Sequence, residues 1–289
     1  MPTLTPGTEA PLDLSYAVLR SVSPIHVEYL SNMGVGASMS ISLVRDGALW
    51  GLIACHHYAA KFLPFELRAA CEFLAQAVSL QLGAKEDGDF HTYELQLKDT
   101  GAQLVQQMAQ AESWRAGLMR GSTTLLNLFD AGGAALSFGG ELETLGATPA
   151  EADIHTLIGW LGSTTDDVYA TNTLARDLPA LAHCATVASG VLAVPISREL
   201  GEYLLWFRPE VLQTVNWAGA PEKAVTLSDD GVRLSPRKSF ALWQQTLAQH
   251  ALAWQPAEMA AAARLGNTLR GVILKRAADM AILNEALQR

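Results

Sequence analysis

No proline interrupts the sequence between Phe65 and Met119. Pro64, directly before this stretch, suits the first turn of a helix. Apolar residues then recur at the three- and four-residue spacing of an amphipathic helix: Leu67, Ala70, Phe73, Leu74, Ala77, Val78 and Leu82. Glycines at 83, 88 and 101 weaken this pattern without ending it. The sequence therefore predicts one long helix, of the kind that joins domains or mediates dimerisation.

Length and composition are consistent with two domains. The chain has 289 residues, 49% of them apolar, enough for about two domains of roughly 100–200 residues. A net charge of −9 without a basic block argues against non-specific binding to nucleic acid or anionic membranes. The apolar stretches are far shorter than the ~20 residues of a bilayer span, and the N-terminus does not resemble a signal peptide. Three scattered cysteines, Cys55, Cys71 and Cys184, indicate reduced thiols in a cytoplasmic protein.

The clearest strand signal lies between Ser38 and Leu43, where serines alternate with apolar residues and form one face of the strand. Asp46-Gly47 is a strong turn dipeptide, and residues 49–58 predict a second strand, so we expect a hairpin. Alternation assigns four residues of the second strand to one face: Trp50, Leu52, Ala54 and His56.

The part of the chain after residue 120 predicts a second domain of short helices and antiparallel strands. The predicted elements are helices Ser122–Leu128 and Ala150–Leu161, and strands Ala134–Phe138, Leu142–Leu145, Gly190–Ile196 and Glu202–Arg208. Residues 209–240 show little periodicity, and segments of this length are usually functional or disordered. A last helix is predicted over 256–289. Its apolar stripe predicts a weak parallel dimer through a partner helix: Leu265, Leu269, Val272, Leu283 and Leu287.

Three segments carry residues of chemical interest. His26 and Tyr29 share a face of a predicted helix that begins after Ser23. Either both residues line a cavity, or His26 is buried and hydrogen-bonded to a backbone carbonyl. In Cys55-His56-His57, neighbouring side chains point to opposite faces of the strand, which argues against a single metal or nucleophile site. Arg237 either reaches a carboxylate or lies in an ordinary solvated turn.

Together these segments resemble one family. Residues 19–35, which include Ser23-Pro24-Ile25-His26, and residues 50–57 look like the bilin-binding GAF domain of bacterial phytochromes. Three later motifs look like the tongue of the PHY domain that follows GAF in that family: Trp206–Glu210, Val215–Gly219 and Pro236–Phe240. The motifs occur in the family's order over about residues 12–289, which makes the resemblance highly specific.

The resemblance implies a role for each matching residue of the GAF segment. His26 would lie near the bilin and hydrogen-bond its pyrrole nitrogens through a water. His56 would donate a hydrogen bond to the carbonyl of the outer D ring, and Tyr29 and Met33 would wall the D-ring pocket.

The remaining implied roles concern the propionates and the tongue. Ser38 and Ser40 would hydrogen-bond a propionate, and Arg20 would supply charge. The tongue and switch residues would be Trp206, Arg208, Trp217, Pro236, Arg237, Ser239 and Phe240.

Departures from the family pattern indicate which class of phytochromes the sequence resembles. Ile25 stands where plant and many cyanobacterial phytochromes have the bilin-linking cysteine. This fits the bacterial, biliverdin-using class, in which that cysteine lies ahead of GAF. None of the three cysteines occupies a linking position, and the family's Asp-Ile-Pro motif is not in this sequence. We therefore expect biliverdin as the cofactor of the complete protein, without a covalent link to this chain.

The implied fold is α+β and has four parts. Residues 1–83 would be the C-terminal half of GAF with a partial antiparallel sheet, and residues 84–119 the connecting helix. Residues 120–254 would be the PHY domain, an antiparallel sheet with a tongue at about 206–242. Residues 255–289 would start the signalling helix that leads to an output domain.

The implied function is that of a red/far-red photoreceptor. Isomerisation beside the bilin D ring would refold the tongue and signal to an output domain such as a histidine kinase, as a two-state switch requires. The implied partners are the bilin, a second copy through the long helices, and the missing N-terminal and output domains. We expect no enzymatic activity from this chain. The alternative is a pigment-free structural and dimerisation module.

Overall fold

Alternating serine and apolar residues form the strand that the sequence predicts. This strand, β1 (Ala37–Arg45), pairs antiparallel with β2 (Ala48–His57). Asp46 and Gly47 join the strands with φ angles of 50° and 76°, the left-handed conformation that suits a two-residue hairpin turn. A short helix, α1 (Pro24–Asn32), precedes the hairpin. The predicted hairpin is confirmed.

The computed structural model describes residues 22–211, 213–218, 224–228, 231–235, 242–247 and 249–287. The chain divides into two units. Unit 1 comprises Met1–Gly83 with Asn216–Gln244, and unit 2 comprises Ala84–Val215 with Gln245–Arg289. The mixture of helices and antiparallel strands confirms the predicted α+β class.

The predicted long helix is present but ends earlier than expected. Helix α2 (Phe65–Gln110) has 46 residues and is therefore about 70 Å long. A break follows, and α3 (Trp114–Met119) begins after it. Ser113 caps α3, because its hydroxyl accepts a hydrogen bond from the backbone N–H of Ala116 at 3.1 Å. The segment predicted as one helix is thus two helices, and Ser113 is the N-cap of the second.

A five-stranded antiparallel sheet forms the centre of unit 2, in the order β4-β3-β7-β6-β5. Its strands are β3 (Gly133–Phe138), β4 (Glu141–Gly146), β5 (Tyr169–Thr171), β6 (Gly190–Ser197) and β7 (Glu202–Arg208). The β3–β4 turn is made by Gly139 and Gly140, which both have positive φ. The shorter helices are α4 (Glu151–Leu161), α5 (Leu174–Asp177) and α6 (Ala185–Ala188), with 3₁₀ segments Leu125–Leu128 and Pro179–Cys184.

Apolar side chains cover both faces of this sheet. Along β7, Leu204 and Trp206 belong to the core cluster that includes residues of α2 and α3, whereas Leu205 and Phe207 belong to the cluster that includes residues of α4. A strand buried on both faces reads as a continuous apolar run. This explains why β6 and β7 lack the alternation of β1.

The long excursion after β7 contains strands that its weak periodicity did not predict. They are β8 (Gln213–Ala218), β9 (Ala224–Ser228), β10 (Gly231–Ser235) and β11 (Leu242–Leu247). β8 pairs with β11, and β9 pairs antiparallel with β10. The low periodicity of residues 209–240 therefore does not mean that the segment lacks strands.

The last helix, α7 (Pro256–Leu287), is present as predicted. The inference that its apolar stripe is buried by a partner helix does not hold for Leu265, Leu269 and Val272. Leu265 and Leu269 are buried within the core of unit 2, at 3% and 0% exposure, and Val272 packs against that core. Their burial needs no partner helix. The side chains of Leu283 and Leu287 lie outside the described residues. Dimerisation stays a prediction.

None of the helices in the described parts of the chain combines the length and the apolar character needed to cross a membrane.

Candidate functional site

The β1–β2 hairpin carries a polar face built from both strands. Ser38 lies opposite His56, Ser40 opposite Ala54, and Ser42 opposite Leu52. The His56 Nδ1 atom lies 3.2 Å from the Ser38 hydroxyl oxygen. Directly opposed residues point to the same side of an antiparallel pair, so the serine row and His56 share one face. We call Ser38, Ser40, Ser42 and His56 the serine face; all four are exposed.

The opposite face of the hairpin packs on α2. Leu43 and Ala75 are buried, and the backbone N–H of Val44 donates to the Ser79 hydroxyl at 3.1 Å. The Ser79 hydroxyl in turn donates to the Ala75 carbonyl at 2.7 Å. Since α2 takes the apolar face, the serine face is the one available to a ligand.

A β-bulge corrects the predicted position of Trp50. Leu43 pairs with Gly51 and Val44 pairs with Leu49, which leaves Trp50 as the extra residue. Trp50 lines a small depression together with Leu43 and with Ser79 of α2. It therefore lies on the α2 side of the hairpin, and the expectation that it shares a face with His56 is wrong. The prediction that Leu52, Ala54 and His56 share one face of β2 is confirmed, and the register places that face beside the serine row.

Helix α1 carries further residues that were predicted to line the binding site. The rings of His26 and Tyr29 are stacked, with centroids 6.4 Å apart and an interplanar angle of 18°. His26 is exposed, so the alternative of a buried histidine is excluded, whereas Tyr29 and Met33 are half-buried. The predicted sharing of one helix face by His26 and Tyr29 is confirmed.

A glycine turn connects α1 to the hairpin. Gly34 ends the helix with a φ of 72°, and the backbone N–H of Gly36 donates to the His57 carbonyl at 2.9 Å. A Cβ at Gly36 would lie 2.8 Å from the backbone of Ala59, a distance that side chains do not tolerate. The lack of a side chain at Gly36 thus lets the turn approach the end of β2 closely.

Several predicted site residues lie outside the described residues: Arg20, Pro236, Arg237, Ser239 and Phe240. Trp217 lies in β8, where the backbone but not the side chain is described. Their predicted roles stay predictions.

Trp206 and Arg208, which the resemblance assigns to the tongue, lie in β7, the strand predicted over Glu202–Arg208; their role in a switch stays a prediction. The Trp206 side chain is fully buried; its indole N–H donates to the Leu125 carbonyl at 2.9 Å, and its ring packs edge-on against Phe129. Arg208 is 6% exposed. Both residues are part of the core of unit 2, because β7 is the middle strand of its sheet.

Arg208 is held by a buried polar network that sequence reasoning missed. Its guanidinium donates to the Glu258 carboxylate at 2.7 Å and to the Asp130 carbonyl at 2.8 Å, and it lies 3.8 Å from the centre of the Trp254 ring. Glu258 also accepts a hydrogen bond from the Tyr93 hydroxyl at 2.5 Å. Burial and the Glu258 carboxylate raise the pKa of Tyr93 above its usual range.

This network ties α2, β7 and α7 together inside unit 2. Arg208 and Glu258 are 50 residues apart, and Tyr93 and Glu258 are 165 apart, so no local spacing could have revealed them. Glu258 lies in the first turn of α7, where a carboxylate is common because it interacts favourably with the helix dipole. Its position in the sequence therefore gave no sign that it pairs with a buried arginine.

Family models match both parts of the chain. Residues 97–278 match the model of the phytochrome region, PHY, and residues 5–85 match the GAF domain. The chain belongs to the phytochrome family. The resemblance inferred from its motifs is confirmed.

Phytochromes from several bacteria are similar over the whole chain. Cyanobacterial phytochrome B from Nostoc sp. is 43% identical over 291 residues, which cover 100% of this chain and 39% of that protein. The bacteriophytochrome of Pseudomonas aeruginosa is 32% identical over 289 residues, covering 99% and 39%. This chain thus spans about two-fifths of the length of these phytochromes.

Two solved phytochrome structures show the same fold. The bacteriophytochrome of R. palustris aligns with a TM-score of 0.76 at 38% identity, over 96% of this chain and 56% of that one. The phytochrome photosensory core module of Stigmatella aurantiaca aligns with a TM-score of 0.69 at 45% identity, over 94% and 54%.

Membership in the phytochrome family implies a bilin chromophore, and the serine face fits part of one. A bilin is a flat, largely apolar molecule whose polar groups are ring nitrogens, ring carbonyls and two propionates. The face offers serine hydroxyls and an imidazole beside the apolar side chains of Leu52 and Ala54. Hydroxyl and imidazole donors suit carboxylate and carbonyl acceptors.

Proposed function

We propose that this chain is part of the light-sensing module of a bacterial phytochrome and that its serine face forms one wall of the site for biliverdin. The observation that carries the proposal is the register of the hairpin, which puts Ser38, Ser40 and His56 on one exposed face. The opposite face is already covered by α2 through Leu43 and Ala75. The polar groups of the exposed face are therefore available to a ligand.

Each residue of the site has a separate task in this proposal. Ser38 and Ser40 donate hydrogen bonds to a propionate, and His56 donates to the carbonyl of the D ring. Tyr29 and Met33 wall the D-ring pocket, and His26 orients the pyrrole nitrogens through a water. When bound, the bilin supplies absorption of red and far-red light and isomerisation beside its D ring.

The output of the switch belongs to the complete protein. We propose that the tongue changes its structure in response to light and that α7 passes the change to an output domain such as a histidine kinase. This chain contributes no catalysis of its own in the proposal. A homodimer formed through the long helices and a cytoplasmic location are further parts of it.

Replacing His56 with alanine in the complete protein should weaken the far-red-absorbing photoproduct more than the dark state. The D ring loses a neutral hydrogen bond worth about 0.5–1.5 kcal/mol, which corresponds to a roughly 2- to 12-fold shift between the two states. The measurement is the absorbance spectrum and thermal lifetime of the photoproduct.

His57→Ala is the matched control, because His57 is the next residue along the strand and its ring nitrogen accepts from the backbone N–H of Ala59 at 3.1 Å. It should leave the photoproduct unchanged. Equal effects of the two substitutions, or none from His56→Ala, would show that the serine face does not meet the D ring.

The 289-residue chain should bind biliverdin without a covalent bond. Ile25 stands at one position where the family links its bilin, and none of the chain's three cysteines lies at another linking position. Biliverdin added to the purified chain should produce red or far-red absorbance, and denaturing electrophoresis should then remove all zinc-enhanced bilin fluorescence from the protein band. Fluorescence that survives denaturation contradicts the prediction. A chain that folds but develops no absorbance supports the pigment-free module instead.

A further inference from the structure

Asp153, His183 and Cys184 form a cluster in unit 2 that has no part in the proposed chromophore site. Asp153 lies in the first turn of α4, and His183 and Cys184 end a 3₁₀ segment. One carboxylate oxygen of Asp153 lies 3.1 Å from His183 Nε2, and the other lies 3.5 Å from Cys184 Sγ. The three side chains therefore bring a nitrogen, an oxygen and a sulfur ligand to one place.

These are the ligand types that zinc prefers. Zinc binds cysteine, histidine and carboxylate groups at about 2.0–2.3 Å, almost always with tetrahedral geometry, which places neighbouring ligand atoms roughly 3.3–3.7 Å apart. In the cluster, one ligand atom from each residue lies within 4.8 Å of both others. The two distances from the Asp153 oxygens, 3.1 Å to His183 Nε2 and 3.5 Å to Cys184 Sγ, are close to this spacing.

The backbone on both sides of the cluster is held by the core. Ile154, next to Asp153, is 0% exposed, and Leu181, two residues before His183, is 3% exposed. Cys184 is itself 5% exposed and belongs to the same core cluster. The ligands are therefore positioned before an ion arrives, which reduces the entropy lost on binding.

The cluster combines a buried thiol with an exposed imidazole. Cys184 is 5% exposed, whereas the side chain of His183 is 61% exposed. The thiol donates a hydrogen bond to the Asp153 carboxylate, and a bound metal ion would take the place of the thiol proton.

We propose that Asp153, His183 and Cys184 bind a divalent transition-metal ion of zinc's class, with a water molecule as the fourth ligand. The ion joins α4 to the segment that leads into α6. Because only three of the ligands come from the protein and the fourth is water, we expect the site to bind and release its ion reversibly.

The test is a titration of the 289-residue chain with Co²⁺ and with Zn²⁺ in the absence of bilin, because bilins bind zinc themselves. One Co²⁺ ion per chain should produce the near-ultraviolet charge-transfer band of a thiolate bound to cobalt, and Zn²⁺ should remove the band by displacement. Cys184→Ser should abolish the band, and Asp153→Ala should weaken binding. His183→Ala should weaken binding at least about tenfold, since even outer-shell partners of metal sites are each worth about 10–100-fold.

Matched controls separate this site from the other cysteines and histidines. Cys55→Ser and Cys71→Ser should keep the band, as should His155→Ala on the same helix. A band that is missing in the native chain, survives in Cys184→Ser or disappears in Cys55→Ser overturns the proposal. His183→Ala keeps the test decisive if a change at buried Cys184 disturbs folding. None of the three ligands lies in unit 1, so failure here leaves the chromophore proposal intact.

Discussion

Replacing Glu258 with alanine is expected to lower the free energy of unfolding of unit 2 by about 3–5 kcal/mol, the usual cost of removing one partner of a buried ion pair. Glu258 is 1% exposed and Arg208 is 6% exposed. Without Glu258, the guanidinium keeps the Asp130 and Ala253 carbonyls and the Trp254 ring but no counter-charge. The Tyr93 hydroxyl loses its acceptor at the same time.

Urea unfolding of the chain, followed by far-ultraviolet circular dichroism, measures this loss. Glu141→Ala is the matched control, because Glu141 also pairs with an arginine, Arg115, but its side chain is 72% exposed. Exposed ion pairs contribute about 0–1 kcal/mol. If Glu258→Ala and Glu141→Ala destabilise the chain equally, the buried network does not hold α7 to the sheet.

Alanine at Gly266 and alanine at Gly271 are expected to change stability in opposite directions. A Cβ at Gly266 would lie 2.5 Å from a methyl carbon of Val194 in β6. The β-branched Val194 is buried and has few other rotamers, so α7 must move away from the sheet. Overpacking of this kind costs about 1–3 kcal/mol.

Gly271 provides the control within the same helix. A Cβ there would meet no heavy atom within 4 Å, so Gly271→Ala should stabilise the chain by up to about 1 kcal/mol through helix propensity alone. Thermal unfolding of the two variants beside the native chain measures both effects. Gly266→Ala with a stability equal to or above that of the native chain would show that α7 does not pack on β6 through this position.

Local patterns predicted the elements that depend on local geometry. Serine alternation and Asp46-Gly47 were sufficient for the β1–β2 hairpin, because side chains alternate along any strand and left-handed turns favour these residues. The absence of proline between Phe65 and Met119 was sufficient for a long helix. It did not predict the break before α3, which depends on the cap that Ser113 makes.

The face of Trp50 could not be predicted from its own strand. The bulge arises from the register between β1 and β2, and it moves Trp50 to the side of the hairpin that packs on α2. A bulge is a property of a strand pair and leaves no sign in the alternation of one strand. The strand that contains Trp206 and Arg208 was predicted, but its place in the middle of the sheet depends on its pairing with β3 and β6.

The sequence alone determined the family, the β1–β2 hairpin and the row of serines along β1. These follow from motifs and periodicities within a few residues of one another, where the geometry of the backbone decides the outcome. Only the tertiary structure decided what covers each apolar face and which charges meet. Leu265 and Leu269 pack into their own core, Arg208 finds Glu258, and Asp153 meets Cys184 because packing selects partners by shape and burial across tens of residues of sequence.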